Sequence, residues 1–142
     1  MAQSKRETIL QKIITTLSDG LGVPVYRSPT QALERTAENV NACVVEWDQE
    51  NHEPLTSDEQ LCLFSLSVSL RSRAVQYSEE VADELMVDAH ALLFADRTLG
   101  GLTENILQDG ASRNGEDKEL ETTVLTLGFL VEYRRSSADL TA

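Results

Sequence analysis

Residues 62–73, CLFSLSVSLRSR, alternate apolar and polar side chains, and this two-residue period restricts the segment to a β-strand. One face of that strand would carry Cys62, Phe64, Leu66, Val68 and Leu70. The other would carry Ser65, Ser67, Ser69 and Arg71. A serine nucleophile needs an adjacent base and an oxyanion site, and no motif around these serines supplies them. The serines are therefore predicted to form the second face of a sheet.

An amphipathic helix is predicted over about residues 4–19. Ser4 and Glu7 have the spacing of a capping box at its first turn. Apolar side chains then recur at helical spacing, and Gly20 is predicted to end the helix.

A second amphipathic helix is predicted over about residues 78–94, with Ser78 as its N-cap. Its apolar stripe is wide enough to lie on a sheet, and the predicted packing contacts are Leu85, Ala89 and Leu92. His90 falls at the margin of the stripe. It is therefore predicted to be a boundary histidine and not a metal ligand.

Four more strands and a brief helix complete the pattern. The strands are predicted at 22–28, at 41–48, around Ile106 and over about 120–135, and the brief helix at 29–34. Pro24 lacks a backbone donor, so the first strand is placed at an edge of the sheet. Gly100-Gly101 is assigned to a helix end and turn because no phosphate-binding fingerprint surrounds it.

The order of these elements predicts an α+β fold. We expect a mostly antiparallel four- to five-stranded sheet with two amphipathic helices packed on one face. The 142 residues contain no long Pro/Gly/Ser-rich segment, so residues 1–142 are predicted to form a single domain.

The last two strands are predicted to form a hairpin with a long polar connection, DGASRNGEDK, at about residues 109–118. Asn114-Gly115 is a strong turn signal. The segment is too polar to bury much surface, so it is expected to be mobile in an isolated chain and available for contact with a neighbouring subunit. An inert surface loop is the alternative.

The charged residues and cysteines exclude several classes of function. Twelve Lys and Arg against twenty-four Asp and Glu give a net charge of −12, which disfavours sequence-specific nucleic-acid binding. Cys43 and Cys62 lack a second cysteine or a histidine at metal-ligand spacing, so two reduced core thiols are predicted over a disulfide or a metal site. The start of the sequence lacks the apolar segment of a secretory signal, and no run is long enough to cross a bilayer, which predicts a cytosolic protein.

Residues 46–59 hold six carboxylates and no Lys or Arg. The segment is predicted to be a solvated acidic loop, because it lacks the glycine and the ligand order of a calcium loop. A small enzyme acting through Asp83 and Asp88 is an alternative. It requires a cleft, whereas a solvated helix face is expected at these positions.

Several segments in this order resemble the lambda-type tail terminator and minor tail (tail-completion) proteins of long-tailed bacteriophages and prophages. The resemblance spans nearly the whole chain and includes, after the N-terminal helix, GVPVYRS (22–28), ACVVEW (42–47), ADELMVDAHALLFADRTLGGL (82–102) and LTLGFLVEYRR (125–135).

The resemblance implies a structural subunit that is not an enzyme and has no catalytic residues, metal or cofactor. Such a subunit assembles as a hexameric ring on the last ring of the tail tube, stops its polymerisation and contacts a head-completion or connector protein. The resemblance also implies a location in the bacterial host cytoplasm during assembly and then in the virion tail.

Two groups of residues are expected to form the assembly interface. The first lies in the hairpin connection and comprises Asp109, Gly110, Arg113, Asn114 and Gly115. The second, the alternative to the first, is the sheet edges with Arg71, Arg73, Arg134 and Arg135. A head-tail connector or neck subunit, and an adaptor domain that binds a peptide at a sheet edge, remain alternative functions.

Overall fold

The computed structural model of the protein describes residues 2–27, 41–74, 78–115 and 121–142. In chain order the elements are α1 (Lys5–Leu21), β1 (Val25–Tyr26), β2 (Asn41–Pro54), β3 (Glu59–Ala74), α2 (Ser78–Ala95), a 3₁₀-helix (Leu99–Gly101), β4 (Asn105–Gly115) and β5 (Glu121–Ser136). The brief helix predicted at 29–34 lies outside the described residues. No helix in the described ranges is both long and apolar enough to span a membrane.

Within the described residues, five strands form one sheet in the order β1-β2-β3-β5-β4. β1 is a short edge strand and pairs parallel to β2, whereas all the other neighbours pair antiparallel. Buried side chains of α1 and α2 join a single core with the alternating residues of β2, β3 and β5, so both helices cover the same face. The predicted α+β fold is confirmed.

The N-terminal helix begins as predicted and ends later than predicted. Ser4 is its N-cap, and the Ser4 hydroxyl accepts a hydrogen bond from the Glu7 amide at 3.1 Å. Gly20 does not end the helix. α1 continues to Leu21 and ends at Gly22, which adopts the left-handed conformation with φ 71°. Gly20 lies against Leu92 of α2 instead, where a side chain would overlap that leucine.

The second helix packs on the sheet through the predicted stripe. Leu85 and Ala89 are buried in the core, and Leu92 is half-buried at its margin. His90 is also half-buried, and its ring stacks on Phe94 with 4.3 Å between the ring centroids. The predicted boundary position of His90 is confirmed.

Residues 46–59 do not form the predicted acidic loop. β2 continues to Pro54 and β3 begins at Glu59, so only residues 55–58 connect the two strands. The turn is held by Thr56, whose hydroxyl accepts hydrogen bonds from the amides of Asp58 and Glu59. Most side chains of the second half of β2 are exposed, which explains why a paired strand can have so acidic a sequence.

The prediction of a loop at residues 109–118 is also wrong for residues 109–115. β4 extends to Gly115, and Asn114 and Gly115 pair with Val124 and Thr123 of β5. These two residues are therefore part of the ladder and do not form the turn. The predicted hairpin arrangement of β4 and β5 is confirmed, while residues 116–118 lie outside the described residues.

A β-bulge allows β4 to continue through its polar sequence. Asp109 and Gly110 together lie opposite Gly128 of β5. Gly110 has φ 86°, and a Cβ atom on Gly128 would overlap the backbone carbonyl of Asp109. The bulge therefore requires a glycine in each strand.

Candidate functional site

The sheet face that points away from α1 and α2, here called the open face, carries half-buried or exposed side chains in the described parts of β3, β5 and β4, whereas Ala42 and Val44 of β2 are buried on the same face. It comprises Leu61, Leu63, Ser65, Ser67, Ser69, Arg71, Leu107, Val124, Thr126, Leu130 and Glu132. The alternate positions of β3 and β5 face the helices and are buried. This alternation confirms that the serines of β3 form the second face of the sheet.

The open face combines apolar and hydroxyl side chains. Leu107, which is 38% exposed, lies opposite Leu130, and Leu130 in turn lies opposite Ser65. Further along, the Ser69 and Thr126 hydroxyl oxygens are hydrogen-bonded at 3.0 Å. Apolar contacts interspersed with hydrogen-bonding groups are typical of protein–protein interfaces.

The interface residues expected in the hairpin lie along the edge strand β4. Asp109 and Gly110 form the exposed bulge, and Arg113 is exposed further along the strand. Asn114 and Gly115 are the last two residues of β4. The structure therefore places this group on a sheet edge and not at a loop tip.

The four arginines named as an alternative surface lie at opposite ends of the sheet. Arg71 and Arg73 are near the end of β3, whereas Arg134 and Arg135 pair with its start. Gln60, the pairing partner of Arg135, precedes Arg71 by a length of strand of about 36 Å. Arg134 is exposed and forms an ion pair with a glutamate before β4, while Arg135 is buried and donates to Gln60. The four do not form one patch.

The serine face is expected to be structural. Replacing Ser65, Ser67 or Ser69 singly with alanine should change the free energy of unfolding by about 1 kcal/mol or less, with the largest change at Ser69 because its hydroxyl bonds Thr126. Urea denaturation followed by circular dichroism measures this. A loss of several kcal/mol at Ser65 or Ser67 would show that their hydroxyls have partners essential to the fold.

A groove of about 650 Å³ lies between the start of α2 and the strands β4 and β5. Met86 and Leu125 contribute its apolar lining, and four carboxylates of α2 surround it: Glu79, Glu80, Asp83 and Glu84. Arg113 crosses the groove and pairs with Glu79, with 3.2 Å between Nε and Oε1. Asp83 lines this groove, but Asp88 does not and is exposed, so the two are not brought together as an acid/base pair.

A second group of polar side chains lies under the start of β3, and we call it the Glu50 cluster. It comprises Arg6 of α1, Glu50 and His52 of β2, Cys62 of β3 and Tyr133 of β5. The Glu50 side chain is only 8% exposed, and both of its oxygens have partners. Oε1 accepts from the Tyr133 hydroxyl at 2.5 Å, and Oε2 lies 3.1 Å from Arg6 Nη1 and 2.7 Å from His52 Nε2.

Opposing effects act on the acid–base properties of this cluster. Burial raises the pKa of Glu50, but hydrogen bonds from Tyr133 and His52 and the charge of Arg6 outweigh burial, so the pKa lies below its usual value. Burial raises the pKa of Tyr133, and the hydrogen bond to the negatively charged Glu50 raises it further. The cluster therefore holds an ionised carboxylate against a neutral phenol.

Tyr133→Phe should destabilise the protein by about 1 to 3 kcal/mol, because Glu50 would lose a hydrogen bond that it cannot replace with water. Denaturant unfolding measures the loss. Glu50→Leu is the matched background, since it removes the hydrogen-bond acceptor and keeps a side chain of similar size. If Tyr133→Phe costs as much in that background as in the unchanged chain, the phenol–carboxylate hydrogen bond is not the cause.

The Glu50 cluster is a site that sequence analysis missed. His52 was placed in a loop, but it pairs directly with Cys62 across β2 and β3. Spacing along the sequence could not reveal this neighbour of Cys62, because it arises from strand pairing. Cys43 is buried elsewhere in the core, where burial raises its pKa to about 12. Both cysteines lie in the core, as predicted.

Comparisons with known proteins do not extend these observations. No protein-family model matches the sequence, and no match was found among the curated proteins. Any assignment of function therefore depends on the chain's own residues and their arrangement.

Proposed function

We propose that this chain is a structural subunit similar to bacteriophage tail terminators. It forms a hexameric ring on the end of a tail tube, ends the polymerisation of that tube and provides a surface for the head-joining proteins. The proposal combines the resemblance of the sequence with the sheet face that the α+β fold leaves uncovered by its helices.

The observation that carries the proposal is the open face. Three strands spaced about 4.8 Å apart and about 35 to 50 Å long present an area of roughly 600 to 700 Å². A stable protein–protein contact buries about 800 Å² on each partner, so this face has nearly the required size. When two subunits associate, the leucines of the open face would leave water and contact the apolar surface of the adjacent subunit, which favours binding.

In a ring built from head-to-tail contacts, a surface of each subunit binds a different surface of the next subunit. Each subunit must therefore present two different surfaces. The open face supplies one of them in this proposal. The net charge of −12 agrees with a ring whose channel lets DNA pass without binding it.

The test is polymerisation of the tail-tube protein encoded in the same genome, with and without this chain. Tubes formed with a stoichiometric excess of the chain should be short and should not grow further when fresh tube subunits are added. Bovine serum albumin at equal concentration is the control for nonspecific effects. Tubes that continue to grow at every ratio would contradict a terminator function.

A further inference from the structure

We propose that Glu50, His52 and Cys62 bind one Zn²⁺-type cation through a carboxylate oxygen, an imidazole nitrogen and a thiolate sulfur. One ligand atom of each residue lies within 4.8 Å of the ligand atoms of the other two. The site is independent of the proposed tail function, and its test does not require tails.

Strand pairing brings the three donors together. His52 lies directly opposite Cys62 in the antiparallel pair of β2 and β3, and Glu50 lies opposite Phe64. Directly opposed side chains on one face of such a pair have Cβ atoms about 5 Å apart, within reach of a shared ion. Since Cys62 and Phe64 both point toward the helices, Glu50 and His52 point to the same side.

The β-bulge in β2 determines which side chains take part. Trp47 pairs with Leu66, and the next residues to pair are Glu50 and Phe64, so β2 has one extra residue between them. Without that residue, Gln49 would lie opposite Phe64 and Asn51 would lie opposite Cys62. The bulge therefore replaces two amides with a carboxylate and an imidazole.

The chemistry of the donor set favours zinc over harder cations. Zn²⁺ binds cysteine sulfur, histidine nitrogen and carboxylate oxygen, whereas Ca²⁺ and Mg²⁺ require oxygen ligands. Tetrahedral ligands at zinc distances are about 3.3 to 3.7 Å apart, so the Glu50 Oε2 and His52 Nε2 atoms, now 2.7 Å apart, must separate by roughly 0.5 to 1 Å, and any pair near the 4.8 Å limit must close by roughly 1 Å. Binding releases the thiol proton of Cys62 to solvent.

The burial of the residues suits a metal better than a substrate. Cys62 is fully buried, so its sulfur is not accessible as a nucleophile to an organic substrate. His52 is 41% exposed and gives an ion access from solvent. Arg6 and Tyr133 already bond the Glu50 carboxylate, and such outer partners orient metal ligands.

Titration with Co²⁺ tests the site, because a thiolate bound to Co²⁺ gives a charge-transfer absorption in the near ultraviolet. The chelator-treated full-length chain should bind one Co²⁺ with this absorption, and Zn²⁺ should abolish the signal by displacement. Zn²⁺ should also raise the midpoint of thermal unfolding.

The chain has two cysteines and two histidines, so each ligand variant has a matched control. Cys62→Ser should abolish the thiolate absorption, whereas Cys43→Ser should retain it. His52→Ala should weaken Co²⁺ binding by at least about tenfold, whereas His90→Ala should leave it unchanged. Circular dichroism verifies the fold of each variant.

Absence of a saturable thiolate signal in the unchanged chain would overturn the proposal. Loss of the signal in Cys43→Ser but not in Cys62→Ser would do the same. If Cys62→Ser does not fold, the comparison of the two histidine variants decides, since the exposed His52 can be replaced without a core defect. Equal Co²⁺ affinities of His52→Ala and His90→Ala would then refute the site.

Discussion

Leu85→Asp is expected to unfold the domain. Leu85 is buried between α2 and the sheet, within the single hydrophobic core. Truncation of a core leucine costs about 2 to 5 kcal/mol, and burial of an unpaired carboxylate adds to that cost. Because small domains have a total stability of about 5 to 15 kcal/mol, the variant should lose most or all of it.

Val87→Asp is the matched control, because Val87 lies on the same helix but is 58% exposed. It should unfold at nearly the same urea concentration as the unchanged chain. Circular dichroism and urea titration of both variants measure the difference. A folded Leu85→Asp protein of normal stability would show that the stripe of α2 is not a core contact.

Leu130→Arg is expected to preserve the fold and to abolish the proposed termination of the tail tube. Leu130 is half-buried on the open face, where an arginine can lay its aliphatic stem on the sheet and keep its charge in water. In an assembled ring the same charge would be buried without a partner, at a cost of about 2 to 5 kcal/mol. Because a loss of about 1.4 kcal/mol of binding free energy weakens binding tenfold, the subunits should no longer associate.

Val87→Arg introduces the same charge on the outer surface of α2 and serves as the control. Tube length in the polymerisation assay is the measurement, after urea unfolding has shown that both variants are folded. If Leu130→Arg stops growth as well as the unchanged chain does, the open face is not the surface between subunits.

Periodicity predicted the sheet and its helical layer well. The alternation of residues 62–73 gave the correct faces of β3, because a strand with one face in the core must keep the two-residue period. The spacing in α2 identified Leu85 and Ala89 for the same reason, at the helical period.

Strand ends were predicted poorly because backbone pairing does not depend on apolar side chains. The second halves of β2 and β4 are polar, yet both continue as paired strands. Each passes through a bulge: the one at Trp47/Glu50 contains no glycine to indicate it, whereas Gly110 is such an indication in the one at Gln108/Ala111. A bulge shifts the register by one residue, so it also changes which side chains face the core.

The Glu50 cluster could not be predicted for this reason. Its residues come from one helix and three strands, and Glu50 faces inward only because of the bulge in β2. The acidic composition of residues 46–59, which include Glu50, predicted a loop exposed to solvent. A buried tyrosine hydroxyl on β5 needs a partner, and Tyr133 is the one sequence signal that points to such a group.

Electron microscopy of tube ends tests the proposed function most directly. Tubes polymerised from the tail-tube protein in the presence of this chain should carry, at one end, an additional ring with six copies of the chain. Antibody labelling of the chain should mark that end alone. Bare tube ends, with the chain remaining monomeric in solution beside growing tubes, would contradict the assignment as a tail terminator.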